Sequence, residues 1–406
     1  VDRELALISS LAQRTDTRIV LLVMDGLGDV AYESLGNRTP LEVARTPNID
    51  RLAAGAELGL MDPVMPGVTP GSGPGHTALF GYDPVEHLIG RGVLEGLGIG
   101  FEFTDRDVAA RFNFASTDAD GNITDRRAGR IDSQSAALLC ERLGRRIPEV
   151  EGVETIVRPV KEHRGVVVFR GDDLGADVPD TDPQRTGVPP LAPEGCDASS
   201  GITARAAAGF VERATELLAD EPQAHTLLLR GFSRYDPLPA YRDVFKLEAA
   251  ALALYPMYRG LASLAGMDVL DAGKDVREQI DRLRSAWDDY EFFFVHVKKT
   301  DSSGEDGDVQ TKIRVIEETD STLVSAITEL GPDVLCITGD HSTPCTMRSH
   351  SFHPVPVLVH APTSRPHGAG GFGESACRSG SLGRFVGRHL LPMLMGHAGK
   401  LAKYGA

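Results

Sequence analysis

Residues 333–342 read DVLCITGDHS. The apolar run from Val334 to Ile337 stops within two residues at Gly339, Asp340 and His341. Short, continuous apolar runs of this kind suit a strand buried on both faces of a sheet. An acid and an imidazole set just beyond it would stand at the strand's carboxyl end, where open α/β sheets bind ligands. A single histidine is more often a hydrogen-bonded core residue than a ligand. Two adjacent ionisable groups are harder to place that way, because both need partners once they leave water.

The same arrangement recurs outward from this stretch. Arg18 to Met24 (RIVLLVM) runs into Asp25-Gly26. Glu291 to Val297 (EFFFVHV) runs into KKTDSSGEDGD, which carries Asp301 and Glu305. His350 and His353 come just ahead of the strand-like Pro354 to Val359. From Val309 to Leu330, apolar residues fall at helical spacing: Ile313, Val315, Ile316, Leu323, Val324, Ile327 and Leu330. Strands alternating with helices predict an α/β core with a largely parallel sheet and helices on both faces.

The middle of the chain has another texture. ARFNFASTDADGNITDRRAG reads as a hairpin turning at Asp120-Gly121-Asn122. Ser133 to Arg145 and Ile202 to Leu218 read as helices, RGVVVFRG and HTLLLRG as strands, and 171–201 as an irregular loop rich in Asp, Pro and Gly. The simplest organisation is a core made from residues 1–105 and 231–406, interrupted by a smaller α+β domain over 106–230.

Bulk properties narrow the classes of function. The 406 residues carry a net charge of -16, so the summed field repels nucleic acid and anionic membrane. No apolar run reaches the roughly 18 residues of a membrane span. The opening VDRELALISSLAQR lacks the basic-then-apolar order of a signal peptide. Five cysteines, an odd number without CxxC spacing, argue against a disulfide framework and for a reducing cytoplasm.

Three groups of residues carry candidate chemistry. The strand-end acids and histidines could converge on one rim, and such mixed carboxylate and imidazole donors suit Mn²⁺, Zn²⁺ or Mg²⁺ rather than a soft metal. Singly, each could be a turn or cap residue; jointly, their shared placement favours a metal site. The second group is VTPGSGPGHTALFGYDP, residues 68–84, where Ser72 stands between glycines before a helix that includes His76. Free N–H groups at a helix start favour an alkoxide or a phosphate ester. A simple N-cap serine is the competing reading. The third group is cationic: Arg126, Arg127 and Arg130 in DRRAGR, Arg170 in VVVFRGDD, Arg230 and Arg234 in LLLRGFSR, and Arg259 in MYRG. Arginine binds carboxylate and phosphate in forked pairs, although most single arginines are solvated surface charges.

Together these motifs resemble the cofactor-independent phosphoglycerate mutases of the archaeal type, within the alkaline phosphatase superfamily. The likeness runs through LLVMDGLGD, TPLEVARTPNIDRLA, GVTPGSGPGHTALFGYDP, GRGVLEGLGIG, RFNFAST, DRRAGRI, DTDP, HVKKTDSSGEDGD, TGDHSTPC, HSFHPVPVLVHAP and KYGA, essentially the whole chain. It implies an isomerase that interconverts 3-phosphoglycerate and 2-phosphoglycerate through a phosphoserine at Ser72, without 2,3-bisphosphoglycerate. It also implies two divalent metal ions, Mn²⁺ first, with Mg²⁺, Co²⁺ or Zn²⁺ as alternatives. By position, Asp25, Ser72, Asp340 and His341 would hold one ion, and Asp301, Glu305 and His350 the other. His76 and His353 would support these ligands, with His353 a substitute for Glu305. Arg126, Arg127, Arg130, Arg170, Asp182 of DTDP, Arg230 and Arg259 would orient the glycerate. The chain departs from the commoner pattern twice: Glu305 replaces a histidine, and Gly73 follows Ser72 where many relatives carry an acid next to the serine. The implied partner is the small-molecule phosphoglycerate, for a monomer or homo-oligomer. A metal-dependent phosphatase or phosphonate hydrolase of the same superfamily is the alternative, and a non-catalytic binding protein the more distant one.

Overall fold

The computed structural model describes residues 2–366, 368 and 370–405. They form two compact units, residues 2–88 with the described residues from 237 to 405, and residues 89–236.

The first unit is built on an eight-stranded sheet. Its order is Asp268–Val269, Ala249–Leu252, Phe292–Val297, Ile19–Met24, Val334–Thr338, Val355–His360, Glu57–Asp62 and Gly383–Val386. Only Val355–His360 runs against the others. Every residue of Ile19–Met24, Phe292–Val297 and Val334–Thr338 is buried, as their unbroken apolar runs require. Alternate residues serve opposite faces. Phe293 stacks on Trp287 on one side, while Phe294 meets His76 and Phe80 on the other. Val20, Leu22, Ile316, Leu323 and Ile327 share the Phe293 side. Each such buried side chain contributes about 1.5–3 kcal/mol relative to exposure.

Register places the chemistry. Met24 pairs with Val297, and Val23 with Thr338. The residues that follow therefore leave the sheet side by side: Asp25, Lys298 and the Gly339-Asp340-His341 turn. The helical stretch 309–330 departs from regular spacing once. A π-turn over Asp320–Val324 interrupts it, where the buried Asp320 carboxylate accepts the backbone N–H of Ile49 at 2.7 Å.

The second unit is antiparallel. Asp107–Thr117 is flanked by Arg164–Arg170 on one side and by Thr226–Arg234 on the other, and it also pairs with Ile123–Asp125. Val153–Lys161 and Glu149–Val150 extend the sheet beyond Arg164–Arg170. Helices Ser133–Arg146 and Ala198–Leu218 contribute Leu143, Phe210 and Leu218 to its core. The limits of this unit differ from the expected 106 and 230. Helix Arg91–Gly98 belongs to it because Gly92 approaches Ala109 so closely that a Cβ would lie 2.2 Å from its carbonyl oxygen. Thr226–Arg234 then carries the strand past 230. Among the described residues no helix is long and apolar enough to cross a membrane. The five cysteines are all free thiols.

Candidate active site

The aligned strand ends bring Asp25, Asp301, Asp340, His341 and His350 together within the first unit. Two groups have ligand atoms within 4.8 Å of one another: Asp25 with Asp340 and His341, and Asp301 with His341 and His350. His341 thus belongs to both groups, whereas the sequence had suggested it for the first alone. Its Nε2 lies 3.3 Å from Asp25 Oδ1, 3.2 Å from Asp340 Oδ2 and 3.1 Å from Ser72 Oγ. Its ring stacks on His350, with centroids 3.6 Å apart. His350 is oriented from behind: Nδ1 contacts Pro70 O at 2.9 Å, and Nε2 is turned toward Asp301 Oδ1 at 3.6 Å.

Ser72 is the first residue of helix Ser72–Leu79, and Gly71 occupies the N-cap. The simple N-cap reading of Ser72 is therefore replaced: its buried hydroxyl points to His341 instead. His76, one turn on, sets Nδ1 2.8 Å from Ser72 O and 3.2 Å from Asp340 Oδ2. Two glycines permit this crowding. Gly26 has φ +62°, and a Cβ there would lie 2.5 Å from Thr343 Oγ1. A Cβ on Gly75 would lie 2.4 Å from Asp340 O.

The electrostatics suit a cation. Asp25 Oδ2 is engaged by Lys298 Nζ at 3.1 Å and by the hydroxyl of Tyr258. Asp340 Oδ1 accepts the N–H of Gly26 at 3.0 Å. That leaves Asp25 Oδ1 and Asp340 Oδ2 buried without a hydrogen-bond partner, both aimed at the His341–Ser72 contact. Buried acceptors seldom stay unsatisfied, and two carboxylate oxygens, an imidazole nitrogen and a hydroxyl form a donor set for a hard or borderline divalent ion. The residues present therefore fit a metal.

The same neighbours set the ionisation states. Burial alone would raise the pKa of Asp25, but Lys298 and the contacts from His296 and His341 hold it well below the carboxylate range. Burial and the Asp25 charge push Asp340 upward, and His341 and His76 more than offset them. His341 is disfavoured as a cation by burial, yet Asp340, Asp25 and Asp301 lift it to about 9. Burial, then the neighbouring His341, lowers His350. Without metal, a proton on His341 and the ammonium of Lys298 answer three buried carboxylates.

Other expected residues fall elsewhere. Glu305 is exposed and lies in neither group. Helix Lys299–Asp306 turns Gly304 inward, where a Cβ would sit 2.4 Å from Thr343 O, so position 305 faces outward. His353 contacts Ser351 Oγ at 2.9 Å, stacks on Phe352 and is in neither group. Three of the arginines expected to hold substrate have their forks occupied. Arg126 grips Asp182 at 2.8 and 2.7 Å, Arg170 grips Asp107 at 2.7 and 2.8 Å, and Arg230 reaches Asp180 at 3.0 Å. Asp182 is thereby a partner of Arg126. Burial first, then the charges of Arg164, Arg111, Arg127 and Arg130, hold His163 down to about 3. Arg259, on helix Pro256–Leu264, has a buried Nε without a partner among the described residues. Residues that the sequence did not single out include Lys298, Tyr258, His296 and Thr343. His296 and Lys298 left a signal, an imidazole inside an otherwise apolar strand and a charge directly after it.

The fold and site define a class: α/β proteins whose serine stands in a carboxylate–imidazole cluster at the rim of a parallel sheet. A profile described as 2,3-bisphosphoglycerate-independent phosphoglycerate mutase matches residues 53–224. Relatives named as probable 2,3-bisphosphoglycerate-independent phosphoglycerate mutases include those of Thermotoga neapolitana and Thermus thermophilus. Each is 48% identical, over 98% of both chains. A solved protein from Pyrococcus horikoshii aligns with TM-score 0.82 at 28% identity, over 97% of this chain and 100% of that one. The cofactor-independent phosphoglycerate mutase of Thermoplasma acidophilum aligns with TM-score 0.68 at 31% identity, over 94% and 100%. The chain belongs to the 2,3-bisphosphoglycerate-independent phosphoglycerate mutase family.

Proposed function

We propose that this protein interconverts 3-phosphoglycerate and 2-phosphoglycerate through a phosphoryl group carried on Ser72. The observation that carries this reading is the convergence of Ser72 Oγ with two orphaned carboxylate oxygens around His341 Nε2. Asp25, Asp340, His341 through Nε2, and Ser72 would hold one divalent ion, and Asp301 and His350 would serve the second. When bound, such ions lower the pKa of a coordinated hydroxyl and neutralise charge on a transferring phosphoryl group. The oxygen-rich donor set favours Mn²⁺ or Mg²⁺.

The chain's own residues do the rest. Ser72 Oγ attacks phosphorus as the bond to the glycerate 3-oxygen breaks. The 2-hydroxyl oxygen of the glycerate then attacks phosphorus, and Oγ leaves. Backbone N–H groups of the first turn of Ser72–Leu79 favour the anion beside Oγ. Lys298 keeps Asp25 ionised and tied to Asp301. Arg126, Arg170 and Arg230, expected to orient substrate, instead brace the second unit through aspartates. A cytoplasmic location accords with the free cysteines.

Coupling to enolase tests the proposal. With Mn²⁺ and no 2,3-bisphosphoglycerate, 3-phosphoglycerate should yield 2-phosphoglycerate. Release of free phosphate in place of 2-phosphoglycerate would favour a phosphatase and end the mutase reading.

A further inference from the structure

Thr343 is wholly buried just beyond Asp340-His341, and its hydroxyl touches a ligand candidate of each group. Thr343 Oγ1 lies 2.6 Å from Asp301 Oδ1 and 3.0 Å from His341 Nδ1. A hydroxyl has one proton to give, and an ionised carboxylate can only accept. The proton is therefore committed to Asp301, and Oγ1 meets His341 as an acceptor. Nδ1 of His341 must carry hydrogen. The nitrogen left to bind a cation is Nε2, the one that faces Ser72, Asp25 and Asp340.

Thr343 is itself held rigidly. Its N–H donates to Gly28 O at 3.0 Å. Its carbonyl accepts Lys312 Nζ at 3.0 Å, and that buried ammonium also binds Asp29 at 2.8 Å. Gly26 packs against the hydroxyl itself. Side chains that ligate metals are aimed by partners on their far atoms. Here one hydroxyl serves two ligands from different strand ends.

We propose that Thr343 is a positioning residue that fixes His341 as the Nδ1–H tautomer and couples the two candidate metal groups. The inference rests on the reading that those groups bind metal. Thr343→Val removes the hydroxyl at nearly constant volume, and Thr343→Ser keeps it. Mn²⁺ titration by calorimetry should show about 10–100-fold weaker binding for Thr343→Val, with most of the loss restored in Thr343→Ser. In ¹⁵N-histidine-labelled, Zn²⁺-loaded wild type, the His341 resonances should show hydrogen on Nδ1. Wild-type affinity in Thr343→Val, or a serine variant as weak as the valine one, would overturn the proposal while leaving the metal reading intact. Hydrogen on Nε2 in the loaded wild type would do the same. Absence of Mn²⁺ binding by wild type would remove both. If Thr343→Val does not fold, the serine variant and the wild-type tautomer still decide.

Discussion

Gly75→Ala offers a test in which two ordinary effects oppose each other. Gly75 lies inside helix Ser72–Leu79, where alanine is favoured over glycine by about 1 kcal/mol. The added Cβ would meet Asp340 O at 2.4 Å, Asp340 C at 3.1 Å and Asp340 Cβ at 3.2 Å. All three atoms belong to a candidate ligand held at the end of a buried strand, and none is the tip of a flexible side chain. Relief requires the helix or the Asp340 turn to move by about 1 Å. Overpacking of this kind costs about 1–3 kcal/mol, which cancels the helical gain at the least and leaves a net destabilisation of up to about 2 kcal/mol. The displacement also exceeds the roughly 0.5 Å tolerance of a functional constellation. Gly144→Ala is the matched control. It too is helical, but its nearest neighbour is Val157 Cβ at 3.8 Å, so it should stabilise by about 1 kcal/mol. Denaturant unfolding would give both stabilities, and calorimetry with Mn²⁺ the site. If Gly75→Ala stabilises like the control and binds Mn²⁺ normally, the close packing of helix against ligand turn is wrong.

The other expectations are simpler. Ser72→Ala should abolish mutase turnover while Mn²⁺ still binds; retained turnover would remove Ser72 as the phosphoryl carrier. His341 is lifted from 6.5 to about 9 in the metal-free fold. Its stabilising contribution is complete below 6.5 and lost as pH rises through 9. The melting temperature of chelated protein should accordingly fall across that window, while metal affinity rises as less proton must be displaced; a flat response in both contradicts the assignment. Lys312→Met would leave the buried Asp29 carboxylate without its counter-charge and should cost about 3–5 kcal/mol in guanidinium unfolding. A loss under about 1 kcal/mol would show that the hydrogen bonds from Tyr32 and Val30 suffice for Asp29.

Much of the core was legible because buried parallel strands leave unbroken apolar runs. The direction of Val355–His360 was not, since an apolar run looks the same in either orientation. Asp25, Asp340 and His341 could be read as candidates from the sequence because each stands within a few residues of the end of such a run. Thr343, Tyr258 and Lys312 could not, because threonine, tyrosine and lysine are unremarkable where they stand. Tyr258 reaches Asp25 across 233 residues. The arginines show the converse. Arg126, Arg170 and Arg230 looked like anion ligands because the aspartates that claim them lie 56, 63 and 50 residues away. Glu305 stands apart from both groups for a local reason: one residue of helical rotation sends it to solvent and Gly304 inward.

The central claim is that the phosphoryl group passes through Ser72 and stays with the enzyme. The most direct measurement follows ³²P from labelled 3-phosphoglycerate in the presence of Mn²⁺, unlabelled phosphate and unlabelled 2,3-bisphosphoglycerate. The account predicts 2-phosphoglycerate of undiminished specific activity, and acid-quenched protein whose label maps to Ser72. Product diluted by either unlabelled pool, or unlabelled protein beside labelled product, would contradict it.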